Sequence, residues 1–172
     1  GSLLHCIDRT LTAGGARMLE RRLSSPSCTL PVICARQDCV EYFAKNTRLT
    51  GDIRDQLRSV HDLDRALSRL ALDRGGPRDM AAIRNTLGQA TGLSAIVSGD
   101  LPDILADAAR DFVGHDDLLT LLDDALVAEP PLLARDGGFI APGYDDELDE
   151  VRKLRDEGRS VIPAMQAQFI DL

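Results

Sequence analysis

Leu63–Ala71 has the sequence Leu-Asp-Arg-Ala-Leu-Ser-Arg-Leu-Ala, which is the clearest helical pattern in the chain. Its apolar residues recur at intervals of three, four, seven and eight, and the polar residues lie between them. The members of this stripe are Leu63, Ala66, Leu67, Leu70 and Ala71. This spacing places the apolar side chains along one face of an α-helix, so the stretch predicts a helix that packs against other helices.

The sequence on both sides of this stretch predicts further helices. Proline at a first helical position, Thr at a cap position and paired glycines or prolines at the ends mark their limits. The predicted helices cover residues 3–8, 10–23, 31–45, 47–60, 77–97, a segment that starts near 100–102, and 118–126. Only 3% of the 172 residues are aromatic and none is Trp, a composition that favours helix-on-helix packing. The predicted fold is an all-α multi-helix bundle with one core.

A turn signal interrupts this helical pattern near residues 132–141. Asp136-Gly137 is a strong two-residue hairpin signal, because a type I′ turn needs positive φ at both central positions. Leu132-Leu133 and Phe139-Ile140 flank it at a short distance. We therefore predict one small β-hairpin near residues 132–141.

A long helix is predicted to leave the bundle after this turn. The acidic residues Asp145, Asp146, Glu147, Asp149 and Glu150 crowd its first turns, where they face the positive end of the helix dipole. The predicted helix extends from residue 145 to residue 172 and is truncated there. Because Pro163 cannot donate a helical hydrogen bond and Gly158 lies upstream of it, we also predict a kink or break between Gly158 and Pro163.

Charge and hydropathy bound the environment and the partners. No run approaches the ~18 apolar residues of a membrane span, and no secretory leader opens the chain, so we expect a cytoplasmic protein without a membrane partner. The net charge is −8, whereas a DNA-binding surface carries a basic patch. Arg17, Arg21 and Arg22 form only a local basic spot.

The reactive side chains do not form a recognisable catalytic or metal site. Cysteines and histidines are scattered, without ligand spacing, and the acidic residues at 145–150 point around the circumference of a helix. The cysteines are Cys6, Cys28, Cys34 and Cys39, and the histidines are His5, His61 and His115. We predict no catalytic residue and no metal site. Arg65, Arg69 and Arg135 are expected to form structural ion pairs.

A phosphate-binding loop is also missing from the sequence. Such a loop needs Gly-x-x-x-x-Gly-Lys followed by Ser or Thr. Neither Gly75-Gly76 nor Gly137-Gly138 is followed by Lys, and the only lysines are Lys45 and Lys153. The prediction is a chain without a cofactor site and without enzymatic activity of its own.

Two segments carry a family resemblance. Arg-Asp-Gly-Gly-Phe-Ile-Ala-Pro-Gly-Tyr-Asp-Asp-Glu-Leu-Asp, at 135–149, resembles the segment with which bacterial MutS proteins, which recognise DNA mismatches, leave their core domain for the helices that reach the DNA clamp. A second match comprises Leu3, Leu4, Ile7, Asp8, Thr10, Thr12, Gly15, Arg17, Leu19, Leu23 and Pro26, which resemble the opening helices of that core domain. Matches between these segments fall in the family's order, so the resemblance covers residues 3 to about 155.

The resemblance implies a role and a set of partners. Residues 1–144 would form the helical core, or lever, domain, and residues 145–172 would begin the helix toward the clamp. The domain would couple the ATPase domain to the DNA clamp in mismatch repair, with the parent protein's ATPase, connector and clamp domains as partners. ATP and Mg²⁺ would bind only to the parent protein, a nucleoid-associated homodimer, and mismatched duplex DNA would be bound only by the intact protein.

Two other classes of function remain open at this stage. A stand-alone helical adaptor would offer an exposed Leu/Ala groove to a partner helix. A small enzyme with an unrecognised pocket is a weaker alternative, and it would need a His or Cys with a strongly perturbed pKa in a cleft.

Overall fold

The protein is helical throughout most of its length. The computed structural model describes residues 1–158 in full and, beyond them, only the extent of the last helix. The helices are α1 (Leu3–Ile7), α2 (Ala13–Ser24), α3 (Leu30–Lys45), α4 (Thr47–Leu57), α5 (Leu63–Ala71), α6 (Pro77–Ile96), α7 (Asp103–Arg110), α8 (Asp116–Ala125) and α9 (Asp146–Ile170). The predicted all-α class is confirmed.

Side-chain caps explain why several helices begin where they do. The Thr12 hydroxyl accepts a 3.0 Å hydrogen bond from the Gly15 amide at the start of α2. The Asp62 carboxylate accepts from the Arg65 amide at the start of α5, and the Asp79 carboxylate accepts a 3.0 Å bond from the Gly76 amide before α6. Each cap satisfies an amide that the helix itself leaves without a partner.

The core lies between α5, α6 and α8. Its buried cluster comprises Ala66, Ile83, Leu87, Leu122 and Leu126, with Leu63, Leu70, Met80, Ala82, Leu119 and Phe139 packed around it. The apolar stripe of Leu63–Ala71 therefore does face the core, as predicted. Leu67, at the edge of the stripe, does not face the core and is half exposed. The stripe on α5 is wider than the surface that α6 offers it.

The helices around this core are much less buried. Within residues 1–158, α1, α2, α3, α4 and α7 contain no fully buried residue. A polar contact joins α2 to the start of α5: the Arg17 guanidinium binds both carboxylate oxygens of Asp62, at 2.7 and 2.8 Å. Ion pairing thus supplements a small apolar core.

The predicted β-hairpin near residues 132–141 is wrong. Ala134–Asp136 is a short 3₁₀ helix, and the φ angle of Asp136 is not positive, as a type I′ turn would need. Gly137 has φ 69° and ψ −176°, which is also outside that turn. In the described residues, the chain instead forms a single antiparallel bridge between Leu126 and Ile140.

The last helix begins one residue later than predicted, at Asp146. The predicted break between Gly158 and Pro163 is wrong, because the last helix continues without interruption from Asp146 to Ile170. Pro163 removes one backbone donor but does not end the helix. No helix in the described part of the chain is long and apolar enough to cross a membrane.

Candidate functional site at the root of the last helix

A buried arginine holds the segment that follows α8. Arg84 lies on the inner face of α6 and is only 8% exposed. Its guanidinium donates hydrogen bonds to the carbonyl oxygens of Val127, at 3.1 Å, and Ala128, at 2.9 Å, and a longer one of 3.4 Å to Leu126. A buried charge is tolerated when it is fully hydrogen-bonded. Arg84 therefore fixes residues 126–128 against α6.

The same segment carries the β-bridge. Val127 donates to the carbonyl of Phe139 at 3.0 Å, and Ala141 donates to the carbonyl of Ala125 at 2.9 Å. Leu126 is buried in the core on one side of this bridge. The returning chain at residues 139–141 is therefore attached to the end of α8.

A second arginine attaches α9 to the bridge. Arg152 donates a 3.0 Å hydrogen bond to the Ile140 carbonyl and pairs with Asp149 at 2.9 Å. The other oxygen of Asp149 accepts a 2.6 Å bond from the Gly143 amide. This amide, more than Arg152, holds the pKa of Asp149 below its ordinary value. Asp149 and Arg152, in the first two turns of α9, thus bind the segment that precedes the helix.

Together these contacts form a continuous connection from α6 to α9, which we call the helix root. It consists of Arg84, residues 126–128, residues 139–141, Asp149 and Arg152. Every link is a backbone or charge-assisted hydrogen bond, and such bonds are directional and stronger than neutral ones. The arrangement joins α9 to the bundle by hydrogen bonds. It offers no nucleophile and no paired acid and base.

A separate ionic cluster fixes the start of α5 and α6. The bidentate Arg17 lowers the pKa of Asp62 to about 2, with help from the Arg65 amide. Arg69 pairs with Asp79 and, together with the Gly76 amide, lowers the pKa of that carboxyl group. Both carboxylates are charged at neutral pH. The expected structural ion pairs of Arg65 and Arg69 are present, whereas Arg135 has none among residues 1–158.

The sequence as a whole matches one protein family. The family model described as MutS domain III matches residues 1–169. The chain belongs to the MutS domain III family. This confirms the resemblance seen in the two terminal segments.

Curated relatives agree with the family assignment. The DNA mismatch repair protein MutS of Paracoccus denitrificans is 61% identical over 170 residues, covering 99% of this chain and 19% of that protein. Its namesakes from Ruegeria pomeroyi, 61% identical, and Cereibacter sphaeroides, 60% identical, are also matched over 99% of this chain and 20% of their own lengths. The MutS domain III described here thus spans about a fifth of the relatives it matches.

The residues singled out for chemistry are dispersed in this MutS domain III. Cys6, Cys28 and Cys34 are exposed, Cys39 is half-buried, and all four are free thiols. The three histidines lie at separate places: His5 in α1, His61 before α5 and His115 before α8. Within residues 1–158, no group of three His, Cys, Asp or Glu side chains could hold a metal ion.

The acidic residues at the start of α9 have two different structural roles. Asp145 accepts a 2.9 Å bond from the Leu148 amide and so caps the helix. Asp149 holds Gly143 and Arg152, as described above. The dipole argument predicted their position correctly, but it did not predict that one of them binds the preceding loop.

Sequence reasoning missed Arg84 and the bridging role of Arg152. A signal for Arg84 was present, because it falls in the apolar stripe of α6 beside Met80, Ile83 and Leu87. A charged residue at such a position is rarely buried without a partner. The signal indicates burial, but the partner carbonyls lie more than 40 residues away in sequence and no local pattern names them.

Proposed function

We propose that this MutS domain III couples the ATPase domain of its parent protein to the DNA clamp. The observation that carries the proposal is the helix root, where Arg84 and Arg152 join the core helix α6 to the outgoing helix α9 by hydrogen bonds. Packed elements joined in this way shift together, and they transmit between distant sites coupling free energies of 1–3 kcal/mol.

The two parts of the chain would have different roles in this coupling. Residues 1–144 form the core domain, and residues 145–172 begin the helix that leads to the clamp. The proposed boundary follows the turn at Gly143, whose φ is 84°, three residues before α9 begins. We propose the ATPase, connector and clamp domains as its partners within a homodimeric parent that binds mismatched DNA.

The exposed surface of the chain supports partners of this kind. On α9, Val151 and Leu154 are more than half exposed. Such surface is suited to cover by other parts of a longer protein. The stand-alone adaptor is not favoured, because the matched relatives are about five times longer.

The chain itself is proposed to be non-catalytic. ATP and Mg²⁺ would bind to the ATPase domain of the parent, since the phosphate-binding motif is missing from this sequence. The proposed setting is the bacterial cytoplasm, on nucleoid DNA.

The test uses the full-length protein that contains this chain. The affinity for mismatched duplex DNA is measured by fluorescence anisotropy with and without ATP, in the parent and in the Arg152→Met variant. The expected result is that the ATP-dependent change in affinity shrinks about tenfold, which corresponds to roughly 1.4 kcal/mol, near the lower end for one charged hydrogen bond. ATP hydrolysis without DNA should be unchanged.

Lys153→Met is the matched control. It removes the same charge from the next residue of α9, but Lys153 is exposed and has no hydrogen bond to the bridge. Equal effects of the two variants, or an unchanged response to ATP in Arg152→Met, would contradict the coupling role of the helix root.

A further inference from the structure

Four arginines line a concave surface that the proposed coupling does not use. Arg65 and Arg69 lie on α5, and Arg74 and Arg78 lie on the connection to α6 and on its first turn. Together with a floor formed by Gly75 and Gly76 and a wall formed by Leu132, Leu133 and Ala134, they enclose a cleft of about 720 Å³. We call it the arginine cleft. Its size falls within the range of ligand-binding pockets.

The positive charge of the cleft is only partly compensated. Its other charged lining residues are Asp62 and Asp79, so four arginines against two aspartates leave a net charge of +2. The chain as a whole carries −8. A local concentration of positive charge attracts ligands of the opposite charge.

The two carboxylates are already engaged by arginines other than Arg74 and Arg78. Asp62 is held at 2.7 Å by Arg17, so its 3.4 Å contact with Arg65 is the weaker one. Asp79 is paired with Arg69 and accepts from the Gly76 amide. Asp79 therefore fixes the floor of the cleft, and Asp62 fixes the start of α5.

Two of the arginines remain available for a ligand. Arg74 is exposed, and its guanidinium has no ion pair and no hydrogen bond to any residue within 1–158. Arg78 is exposed too, and its guanidinium makes a single long bond, 3.4 Å, to the Pro130 carbonyl. Both guanidinium groups keep the planar pairs of donors that bind carboxylates or phosphates in a bidentate manner.

The opposite wall distinguishes between the possible ligands. Leu132 and Leu133 are 60% and 41% exposed beside the arginines. A phosphodiester backbone has no apolar side chain to cover them, and duplex DNA would need a basic stripe rather than four arginines beside an apolar wall. A peptide that alternates carboxylate and apolar side chains satisfies both walls at once.

We propose that the arginine cleft docks an acidic, partly apolar segment from the remainder of the same polypeptide. The matched relatives have about four fifths of their length outside the region matched by this chain, so the chain length to supply such a segment exists. The docked segment places carboxylates against Arg74 and Arg78 and apolar side chains against Leu132 and Leu133. The proposal rests on the proposed function in placing this chain within a longer protein, but not on whether α9 transmits coupling.

The experiment is photo-crosslinking in the full-length protein, with Leu132→p-benzoylphenylalanine as the probe. Mass spectrometry identifies the captured peptide. The expected product is an intramolecular cross-link to a segment outside residues 1–172 that contains at least two Asp or Glu residues. The combined substitutions Arg74→Glu and Arg78→Glu are expected to lower its yield roughly fivefold, as for the loss of two exposed ion pairs.

Two further variants make the result specific. Arg21→Glu changes the same kind of charge on exposed α2, outside the cleft, and should leave the yield unchanged. Replacing the acids of the captured segment with Lys in the doubly reversed variant should restore the yield. A melting temperature equal to that of the parent shows that each variant is folded.

Several outcomes would overturn the proposal. These are a captured peptide without acidic residues, a yield that charge reversal does not alter, a cross-link formed only between two copies of the protein, capture of added duplex DNA instead of a peptide, and no cross-link at all. Because Arg74 supports no other residue in the fold, the single variant Arg74→Gln repeats the test without reversing any charge.

Discussion

Replacement of Arg84 by Met should destabilise the domain and loosen the helix root. Met keeps much of the apolar stem of Arg84 but has no donor, so the carbonyls of Leu126, Val127 and Ala128 lose their partner. We expect the free energy of unfolding to fall by about 3 kcal/mol. That figure takes about 1.5 kcal/mol for each of the two bonds at 2.9 and 3.1 Å. It neglects the three longer contacts, to Leu126, Asn85 and Asp123.

The size of the effect depends on burial. The Leu126 carbonyl belongs to a residue that is 4% exposed, while Ala128 is exposed and its carbonyl can bind water once the guanidinium is gone. The desolvation cost of the guanidinium in the native protein is recovered at the same time. For these reasons we use the lower end of the range for charged hydrogen bonds. A loss of 3 kcal/mol is a large part of the 5–15 kcal/mol of a typical domain.

The assay is urea denaturation followed by circular dichroism, combined with amide hydrogen exchange of Val127 and Ala141. Arg84→Lys should be intermediate, at about 1.5 kcal/mol, because one ammonium group replaces a planar guanidinium. Arg58→Met, at an exposed residue whose ion pair lies within its own segment, should stay within about 0.5 kcal/mol. If Arg84→Met were as stable as the parent, or if exchange at the bridge were unchanged, the reasoning would be refuted.

Three other predictions concern the rest of the fold. The carboxyl group of Asp62 has a pKa of about 2 in the folded protein against an ordinary value of 3.8, so it contributes stability that is present above pH 4 and is lost as the pH falls from about 4 to 2. Asp62→Asn should lower the free energy of unfolding at pH 7 by about 1 kcal/mol, after discounting for its partly exposed partner. Urea titrations at several pH values should show a weaker acid dependence in this variant. Gly75→Ala should destabilise the domain by more than about 2 kcal/mol in thermal melts, because the added Cβ would lie 2.9 Å from the Leu70 Cα. Gly88→Ala, whose added Cβ meets no atom within 4 Å, should instead stabilise α6 by about 0.5–1 kcal/mol. The 172-residue chain alone should bind duplex DNA no more tightly than about 10⁻⁵ M at physiological salt, the level of nonspecific binding; tight, mismatch-selective binding in an anisotropy titration would contradict that expectation.

Local pattern was sufficient to predict most of the helices. Leu63–Ala71 was predicted with both ends correct, since an apolar stripe, an acidic cap and a following pair of glycines all act within a few residues. Pro77 and the glycines before it marked the start of α6 in the same way. These elements are determined by interactions that the sequence places close together.

The error at residues 132–141 has a non-local cause. Asp136-Gly137 carries a hairpin signal, but Leu132-Leu133 do not pair with Phe139-Ile140. The preceding Pro130-Pro131 have no backbone N–H to donate to a ladder, and Ile140 pairs instead with Leu126, which the core holds in place. Tertiary packing therefore determines the pairing of Ile140 with Leu126, which the local turn sequence did not indicate.

The site was predictable only in part for the same reason. The acidic start of α9 followed from its charge order, yet the loop contact of Asp149 depends on the turn at Gly143. Arg84 stood in a helical stripe without any local sign of its acceptors. The partners of a charged side chain that lie far away in sequence can be identified only once the fold is known.

The helix root also has a mechanical consequence. A force applied along α9 reaches the bundle through Ile140, whose carbonyl binds Arg152 and whose backbone pairs with Leu126. Arg84 and the core hold the far side of that pair. The load therefore passes in series through a few short bonds, so the weakest of them sets the force at which α9 detaches. In a single-molecule pulling experiment the helix should come away as one early step, before the α5, α6 and α8 core yields.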